Sequence, residues 1–156
     1  METLVMYYSF SGRTHYEAKR LAEARGAELY EVREQRRRSL ASAYLLGAHQ
    51  AKKRSFVATE PFAMQLDDYD RIVLMSPVWG GYPAPAFNAM VRELPAGREV
   101  EVILTSDSGT AKELDALKKR IELMGVRVSK IEVIKTEDLK KRDRKHRKRM
   151  KEKDRG

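Results

Sequence analysis

The sequence predicts an α/β domain in which a five-stranded parallel sheet is covered by helices on both faces. Short apolar runs alternate with helical patterns along the whole body of the chain, in the order β-α-β-α-β-α-β-α-β. Several of these runs are apolar without interruption, which is typical of parallel strands buried on both faces. The length of 156 residues suits one such domain.

Five segments are predicted to be strands. Three of them are mostly apolar, which indicates central strands: 4–8 and 72–75 are continuous apolar runs, and 100–104 is apolar apart from Glu101. Segments 28–33 and 126–134 alternate between apolar and polar residues, which favours positions nearer the edges of the sheet.

Four helices are predicted from apolar residues that recur on one helical face, over 14–25, 38–53, 84–94 and 111–124. The segments 14–17 and 110–113 each fit a capping box, in which a threonine and a glutamate three residues later satisfy free backbone N–H groups. Gly26 and Gly125 stand where a glycine commonly ends a helix. Residues 54–68 are predicted to form a loop.

The C-terminal segment differs from the rest of the chain. Residues 140–155 contain eleven Lys/Arg and three Asp/Glu, a net of +8 out of +9 for the whole chain. Over 137–155 only Leu139 and Met150 are apolar, which is a thin stripe for a packed helix. We therefore divide the chain into a domain over 1–136 and a basic segment over 137–156, either a solvated helix or a disordered tail.

Composition excludes several classes of site. The chain has no cysteine, which removes disulfides, thiolate nucleophiles and cysteine-based metal sites. The three histidines are scattered, and Asp67, Asp68 and Asp70 are expected to form a solvated turn, so we predict no metal site and no catalytic residue. No apolar run approaches the ~20 residues of a membrane span, and no signal peptide is evident, which favours a cytoplasmic protein.

The turn after the first strand carries the first candidate binding residues. It contains three hydroxyl side chains and a glycine where a helix begins: Ser9, Phe10, Ser11, Gly12, Arg13 and Thr14. Free backbone N–H groups and the helix dipole favour an anion at such a position, and the small hydroxyls add donors. Taken alone, the same pattern also fits an ordinary helix cap.

Two further loops follow the third and fourth strands. The first contains the only tryptophan of the chain between a proline and two glycines: Pro77, Val78, Trp79, Gly80, Gly81 and Tyr82. A flat aromatic side chain at a strand end is well placed to stack on a flat ligand, although an interface aromatic is the alternative. The second supplies small polar groups: Ser106, Asp107, Ser108 and Gly109. All three loops follow parallel strands and therefore share one end of the sheet.

The three loops resemble those of the flavodoxin family, over about residues 3–134. The stretch 9–14 resembles the family's (S/T)-x-(S/T)-G-x-T phosphate loop, with Arg13 where asparagine is common. The stretches 76–82 and 105–109 are similar to the loops that enclose the flavin ring. The resemblance implies the strand order 2-1-3-4-5 and FMN as cofactor, with its phosphate on Ser9, Ser11, Gly12 and Thr14, its ring on Trp79, and glycine N–H groups at the ring's polar edge.

By this resemblance the chain is expected to be an FMN-binding electron-transfer protein. An FMN-dependent NAD(P)H:quinone reductase, or a flavin-free module that binds polyanions through 140–155, remains an alternative. The redox partner, a protein or NAD(P)H, stays open, as does the choice between monomer and homodimer. The clusters 36–38 and 52–54 are expected to be solvated faces, unless they attract an anionic donor such as NADPH.

Overall fold

The computed structural model describes residues 2–156, without the side chain of Tyr44; Met1, the first residue of the predicted domain, lies outside the described residues. The sheet contains strands β1 (Thr3–Tyr7), β2 (Glu28–Glu31), β3 (Arg71–Trp79), β4 (Tyr82–Pro83), β5 (Glu99–Ser106) and β6 (Arg127–Lys135). The five long strands are parallel and lie in the order β2-β1-β3-β5-β6. The short β4 pairs antiparallel with the end of β3 and lies outside this order. When the five parallel strands are numbered along the chain without β4, their order is the predicted 2-1-3-4-5.

The central strands are buried because their side chains alternate between two apolar cores. Leu4, Met6 and Leu74 face one core, and Val5 and Val73 face the other, all at 0% exposure. Glu101 on β5 is charged but buried; it is 8% exposed and pairs with Arg25 at the end of the first helix. The unbroken apolar runs of the sequence thus mark strands that are covered on both faces.

The helices are α1 (Arg13–Arg25), α2 (Leu40–Ser42), α3 (Ala48–Lys52), α4 (Pro85–Arg92), α5 (Leu114–Glu122) and α6 (Thr136–Arg155). A π-helical turn at Ala43–Gly47 joins α2 to α3, so the helix predicted over 38–53 exists but has a wider turn at its centre. Gly26 ends α1 with φ 62°, and its N–H reaches the carbonyls of Ala22 and Glu23, which confirms its predicted role. Within the loop predicted over 54–68, Leu66–Asp68 forms one 3-10 turn.

Both predicted capping boxes are wrong: the side chains of the first have other partners, and the helix at the second begins too late. The residue before α1 is Gly12, and the hydroxyl of Thr14 pairs instead with that of Thr105, 2.9 Å away. Glu17 is 2% exposed and pairs with Arg20 and with Arg142 of α6. The second box fails because α5 begins only at Leu114, after Glu113 at φ 53°.

The basic C-terminal segment is helical over Thr136–Arg155, and polar contacts join its first half to α1. Leu139 is fully buried, Asp143 lies 3.9 Å from Arg13, and the ring of His146 lies 6.3 Å from that of Tyr16. These residues follow the spacing of one helical face. The apolar stripe is therefore thin because an ion pair and an aromatic contact take the places of apolar residues. Residues 144–155 are all exposed.

Neither a transmembrane helix nor a metal cluster occurs in the part of the chain that the structure describes. No helix within 2–156 is both long and apolar enough to cross a bilayer. The same residues contain no group of three or more His, Asp or Glu side chains arranged to hold a metal ion, and Asp67, Asp68 and Asp70 are exposed.

Candidate functional site

A cavity of about 400 Å³ opens at the C-terminal ends of the parallel strands. Its volume falls in the range of roughly 300–1,000 Å³ that is typical of small-molecule sites. The cavity lies where the strand order reverses, next to β1, which is where open α/β sheets bind ligands. Its walls are formed by Phe10, Ser11, Arg13, Thr14, Leu40, Ala43, Ala48, Pro77, Val78, Trp79, Gly80, Thr105, Asp107, Thr136 and Lys140.

The loop between β1 and α1 turns sharply at Gly12. This glycine has φ 94°, a backbone conformation that other residues rarely adopt, and its N–H donates to the hydroxyl of Ser9 at 3.2 Å. Ser11, Arg13 and the buried Thr14 line the cavity, whereas Ser9 faces a neighbouring groove. Ser9 therefore shapes the loop, while Ser11 and Thr14 carry hydroxyls that border the cavity.

The second loop is a hairpin rather than an irregular segment. β3 continues to Trp79, Gly80 and Gly81 form a two-residue turn with φ 61° and 96°, and β4 returns antiparallel. Positive φ at both turn residues is the reason that glycine occupies them. Pro77, Val78, Trp79 and Gly80 line the cavity. Gly81 does not: its carbonyl accepts a hydrogen bond from the Lys112 N–H at 2.7 Å.

Tyr82 also lies outside the cavity. It borders a small separate pocket together with Arg54 and Glu113. Its position follows from the two-residue hairpin, because Tyr82 is paired with Trp79 across the turn.

Aromatic and cationic side chains surround the indole of Trp79. The rings of Tyr8 and Phe10 meet it edge to face, each with its centroid 5.9 Å away. The guanidinium carbon of Arg38 lies 5.4 Å from the indole centroid, within cation–π range. A Cβ on Gly47 would come within 2.8 Å of the indole, so this glycine allows the π-helical turn to pack against it.

Arg38 is held in a buried network rather than on a solvated face, which corrects the sequence prediction at this residue, whereas Arg36 and Arg37 are exposed. Its Nε donates to both carboxylate oxygens of Glu34 at 2.9 and 3.0 Å, and Nη2 donates to Gln50 Oε1 at 2.6 Å. The side chains of Arg38 and Glu34 are each 7% exposed. The Tyr8 hydroxyl also donates to Glu34. Burial, together with the hydrogen bond and charge of Glu34, raises the pKa of Tyr8.

The third loop is stabilised by hydrogen bonds among its own hydroxyls. The buried Ser106 hydroxyl donates to the Thr110 carbonyl at 2.7 Å, and the hydroxyls of Ser108 and Thr110 lie 2.8 Å apart. Asp107 lines the cavity, whereas Ser106, Ser108 and Gly109 do not. The latter three therefore shape the loop that presents Asp107.

Six cavity residues were absent from the predicted site: Leu40, Ala43, Ala48, Thr105, Thr136 and Lys140. Thr105 directly precedes the predicted Ser106 near the end of β5, so its position could have been inferred. The helix residues could not, because only the tertiary structure brings α2, α3 and α6 to the strand ends. Lys140 is one of eleven Lys/Arg in 140–155, and nothing in the local sequence distinguishes it from the others.

The cavity lining contains two chemically different sets of residues. Ser11, Thr14 and Thr105 contribute hydroxyls, and Arg13 and Lys140 contribute cations, which suit an anionic group. Phe10, Val78, Trp79 and Leu40 contribute apolar and aromatic surface, as a flat hydrophobic ring system requires. An elongated ligand with an aromatic end and an anionic end fits both parts of this lining.

Comparison with known proteins relates the chain to the flavodoxin family by sequence and to solved flavoproteins by fold. The sequence profile described as flavodoxin matches residues 2–142. A Lactobacillus acidophilus flavoprotein solved in complex with FMN has a TM-score of 0.71 and 24% identity, covering 85% of this chain and 92% of its own. Two-electron reduced flavodoxin from Megasphaera elsdenii has a TM-score of 0.53 and 20% identity, covering 84% of each chain.

These structural similarities show the fold, and the profile match shows the family. A search of curated protein sequences gave no match. Because the flavodoxin profile spans nearly the whole chain, and the sheet order is that of the flavodoxin fold, the chain belongs to the flavodoxin family.

Proposed function

We propose that this chain binds FMN in the cavity and works as an electron-transfer protein. The observation that carries the proposal is that one cavity joins the hydroxyl-lined start of α1 to the only tryptophan of the chain, at the end of β3. The FMN complex of the L. acidophilus flavoprotein, which has a similar fold, supports the choice of ligand. FMN supplies one- and two-electron chemistry when it is bound.

The residues of the cavity fit FMN at both of its ends. For the phosphate, Ser11 and Thr14 offer hydroxyls, and the first N–H groups of α1 have no partner within the helix. Nothing lies within 4 Å of where a Gly12 Cβ would stand, so the turn is open. For the ring, Trp79 and Phe10 supply aromatic surface.

The polypeptide would position the cofactor and control its surroundings. Trp79, braced by Arg38 and Gly47, would fix the ring plane, and Leu40 would cover apolar surface from water. Gly80 would offer a backbone N–H to the polar edge of the ring, and Asp107 would place a carboxylate nearby. Electron transfer of this kind needs no acid, base or nucleophile from the chain.

Steady-state oxidation of NAD(P)H tests whether the protein is an electron carrier or a reductase. The purified protein is expected to contain FMN, identified by mass spectrometry after release, and to oxidise NADPH or NADH negligibly with a quinone as sole acceptor. Chemically reduced protein should still pass electrons to an added acceptor protein. Steady NAD(P)H consumption by the protein alone would contradict the carrier assignment and favour the reductase.

A second proposed function is polyanion binding by the outer surface of α6. Residues 144–155 contain eight Lys/Arg and two Asp/Glu, a net of +6, and all are exposed. Like charges stand four residues apart at Arg144 and Lys148 and at Lys145 and Arg149, which destabilises a helix unless an anion neutralises them. The segment contains no aromatic residue for base stacking, so phosphate contacts without sequence preference are expected.

Two variants of equal charge test this proposal. The first variant replaces four cations of α6 with glutamine: Arg144, Lys145, Lys148 and Arg149. The second replaces four exposed cations elsewhere with glutamine: Arg36, Arg37, Lys52 and Lys53. Each variant lowers the net charge from +9 to +5 (9 − 4). Binding of a labelled single-stranded RNA should weaken in the first alone, and its salt slope should fall by up to about 3, near 0.7 for each lost charge. Equal weakening in both variants would show only a general charge effect.

A further inference from the structure

Among the described residues that line the cavity, Lys140 is the one lysine, and it comes from the C-terminal helix. It stands in the second turn of α6, and Thr136 in the first turn lines the same cavity. Leu139, the neighbour of Lys140, is fully buried, which fixes this part of the helix against the body of the protein. The first two turns of α6 are therefore part of the site, although the rest of the helix is exposed.

The two cations of the cavity stand in different electrostatic surroundings. Arg13 lies 3.9 Å from Asp143, and this carboxylate also receives hydrogen-bonded contacts from Arg147 at 3.1 Å. Within residues 2–156, Lys140 has no ion pair, whereas the adjacent Lys141 lies 3.8 Å from Glu137. The charge of Arg13 is thus partly balanced by the protein, while that of Lys140 remains available to a ligand.

We propose that Lys140 provides the counter-charge for the phosphate of FMN and so makes the site favour FMN over riboflavin, which lacks the phosphate. This inference rests on the proposed FMN function and adds a specificity-determining residue to it. A phosphate monoester carries a charge of about −1.5 to −2 at neutral pH. Uncharged hydroxyls and N–H groups of the first loop can donate hydrogen bonds to it, but they leave that charge without a cation.

The position of Lys140 on the helix explains why this effect would be specific but limited. The backbone at Lys140 is held by the buried Leu139 and by the Arg13–Asp143 contact, which keeps Lys140 in the wall of the cavity that Ser11 and Thr14 also line. Lys140 is nevertheless an exposed residue, and solvent and salt screen its charge. We therefore expect the contribution of a single charged hydrogen bond rather than that of a buried ion pair.

The test compares two flavins in three full-length proteins: the wild type, Lys140→Ala and the matched control Lys141→Ala. Both variants remove one lysine from adjacent positions of α6, but Lys141 does not line the cavity. Lys140→Ala is expected to raise the Kd for FMN about tenfold, the scale of one hydrogen bond to a charged group, and to leave the Kd for riboflavin unchanged. Lys141→Ala should change neither, and Lys140→Arg should restore FMN affinity.

The salt dependence of FMN binding provides a second readout that a purely structural role would not move. The FMN Kd of the wild type should rise with salt more steeply than that of Lys140→Ala, whereas Lys141→Ala should keep the wild-type slope. Equal loss of FMN and riboflavin affinity in Lys140→Ala, or unchanged affinity for both, would overturn the role of Lys140. Failure of the wild type to bind either flavin would instead refute the proposed function itself.

Discussion

Replacing Trp79 with alanine is expected to raise the Kd for FMN about tenfold to a hundredfold, the cost of losing one aromatic stacking partner of a flat ring. The indole forms part of the cavity wall and is held by edge contacts from Tyr8 and Phe10 and by the guanidinium of Arg38. Its orientation is therefore fixed before a ligand arrives, which reduces the entropic cost of binding. Flavin fluorescence, followed during titration of the apoprotein into free FMN, gives both the affinity and the degree of quenching.

The matched control for this prediction is Phe56→Ala. Phe56 is also a large aromatic residue, it is 59% exposed, and it contacts Arg92 rather than the cavity. This variant should bind FMN like the wild type. If Trp79→Ala also binds FMN with wild-type affinity and quenching while remaining folded by circular dichroism, the stacking role of Trp79 is wrong.

Replacing Glu34 with glutamine is expected to lower the free energy of unfolding by about 3 kcal/mol, because it leaves the buried charge of Arg38 without a counter-ion. Both side chains are 7% exposed, so water replaces little of the lost interaction. Because Trp79 is the only tryptophan, its emission reports on the released Arg38 directly, and we expect the emission to shift. Urea unfolding followed by circular dichroism measures the stability change.

An exposed ion pair provides the comparison for Glu34. Lys130 and Glu132 lie 3.0 Å apart at 52% and 41% side-chain exposure, so Glu132→Gln should cost at most about 1 kcal/mol. Replacing Glu34 and Arg38 together with apolar residues should recover part of the loss, since no unpaired charge then remains. A Glu34→Gln variant as stable as Glu132→Gln, with unchanged tryptophan emission, would refute the role assigned to this pair.

The overall fold could be predicted because its strands carry a strong local signal. The apolar runs at 72–75 and, apart from Glu101, at 100–104 lie within β3 and β5, and the order of the parallel strands is the predicted one. Details that depend on tertiary contacts could not be predicted. The π-helical turn at Ala43–Gly47 packs Gly47 against Trp79, and Thr14 bonds to a residue far along the chain instead of capping its helix.

The candidate site was predicted where it follows strand ends and missed where helices complete it. Nine of the predicted residues line the cavity, among them Ser11, Thr14 and Trp79. Lys140 was missed because it differs from the other cations of α6 only in lining the cavity, which the sequence around it does not indicate. Arg38 was placed on a solvated face for the same reason: its partners Glu34 and Gln50 meet it only in the folded protein.

Equilibrium binding of FMN to the wild-type apoprotein tests the central claim most directly. Titration should show strong quenching of flavin fluorescence that saturates at one FMN per chain, with a Kd at or below about 1 μM. That result would place a flavin against Trp79 if the quenching weakens in Trp79→Ala. If about 10 μM folded apoprotein leaves the fluorescence of free FMN unchanged, the claim that this cavity is an FMN site is contradicted.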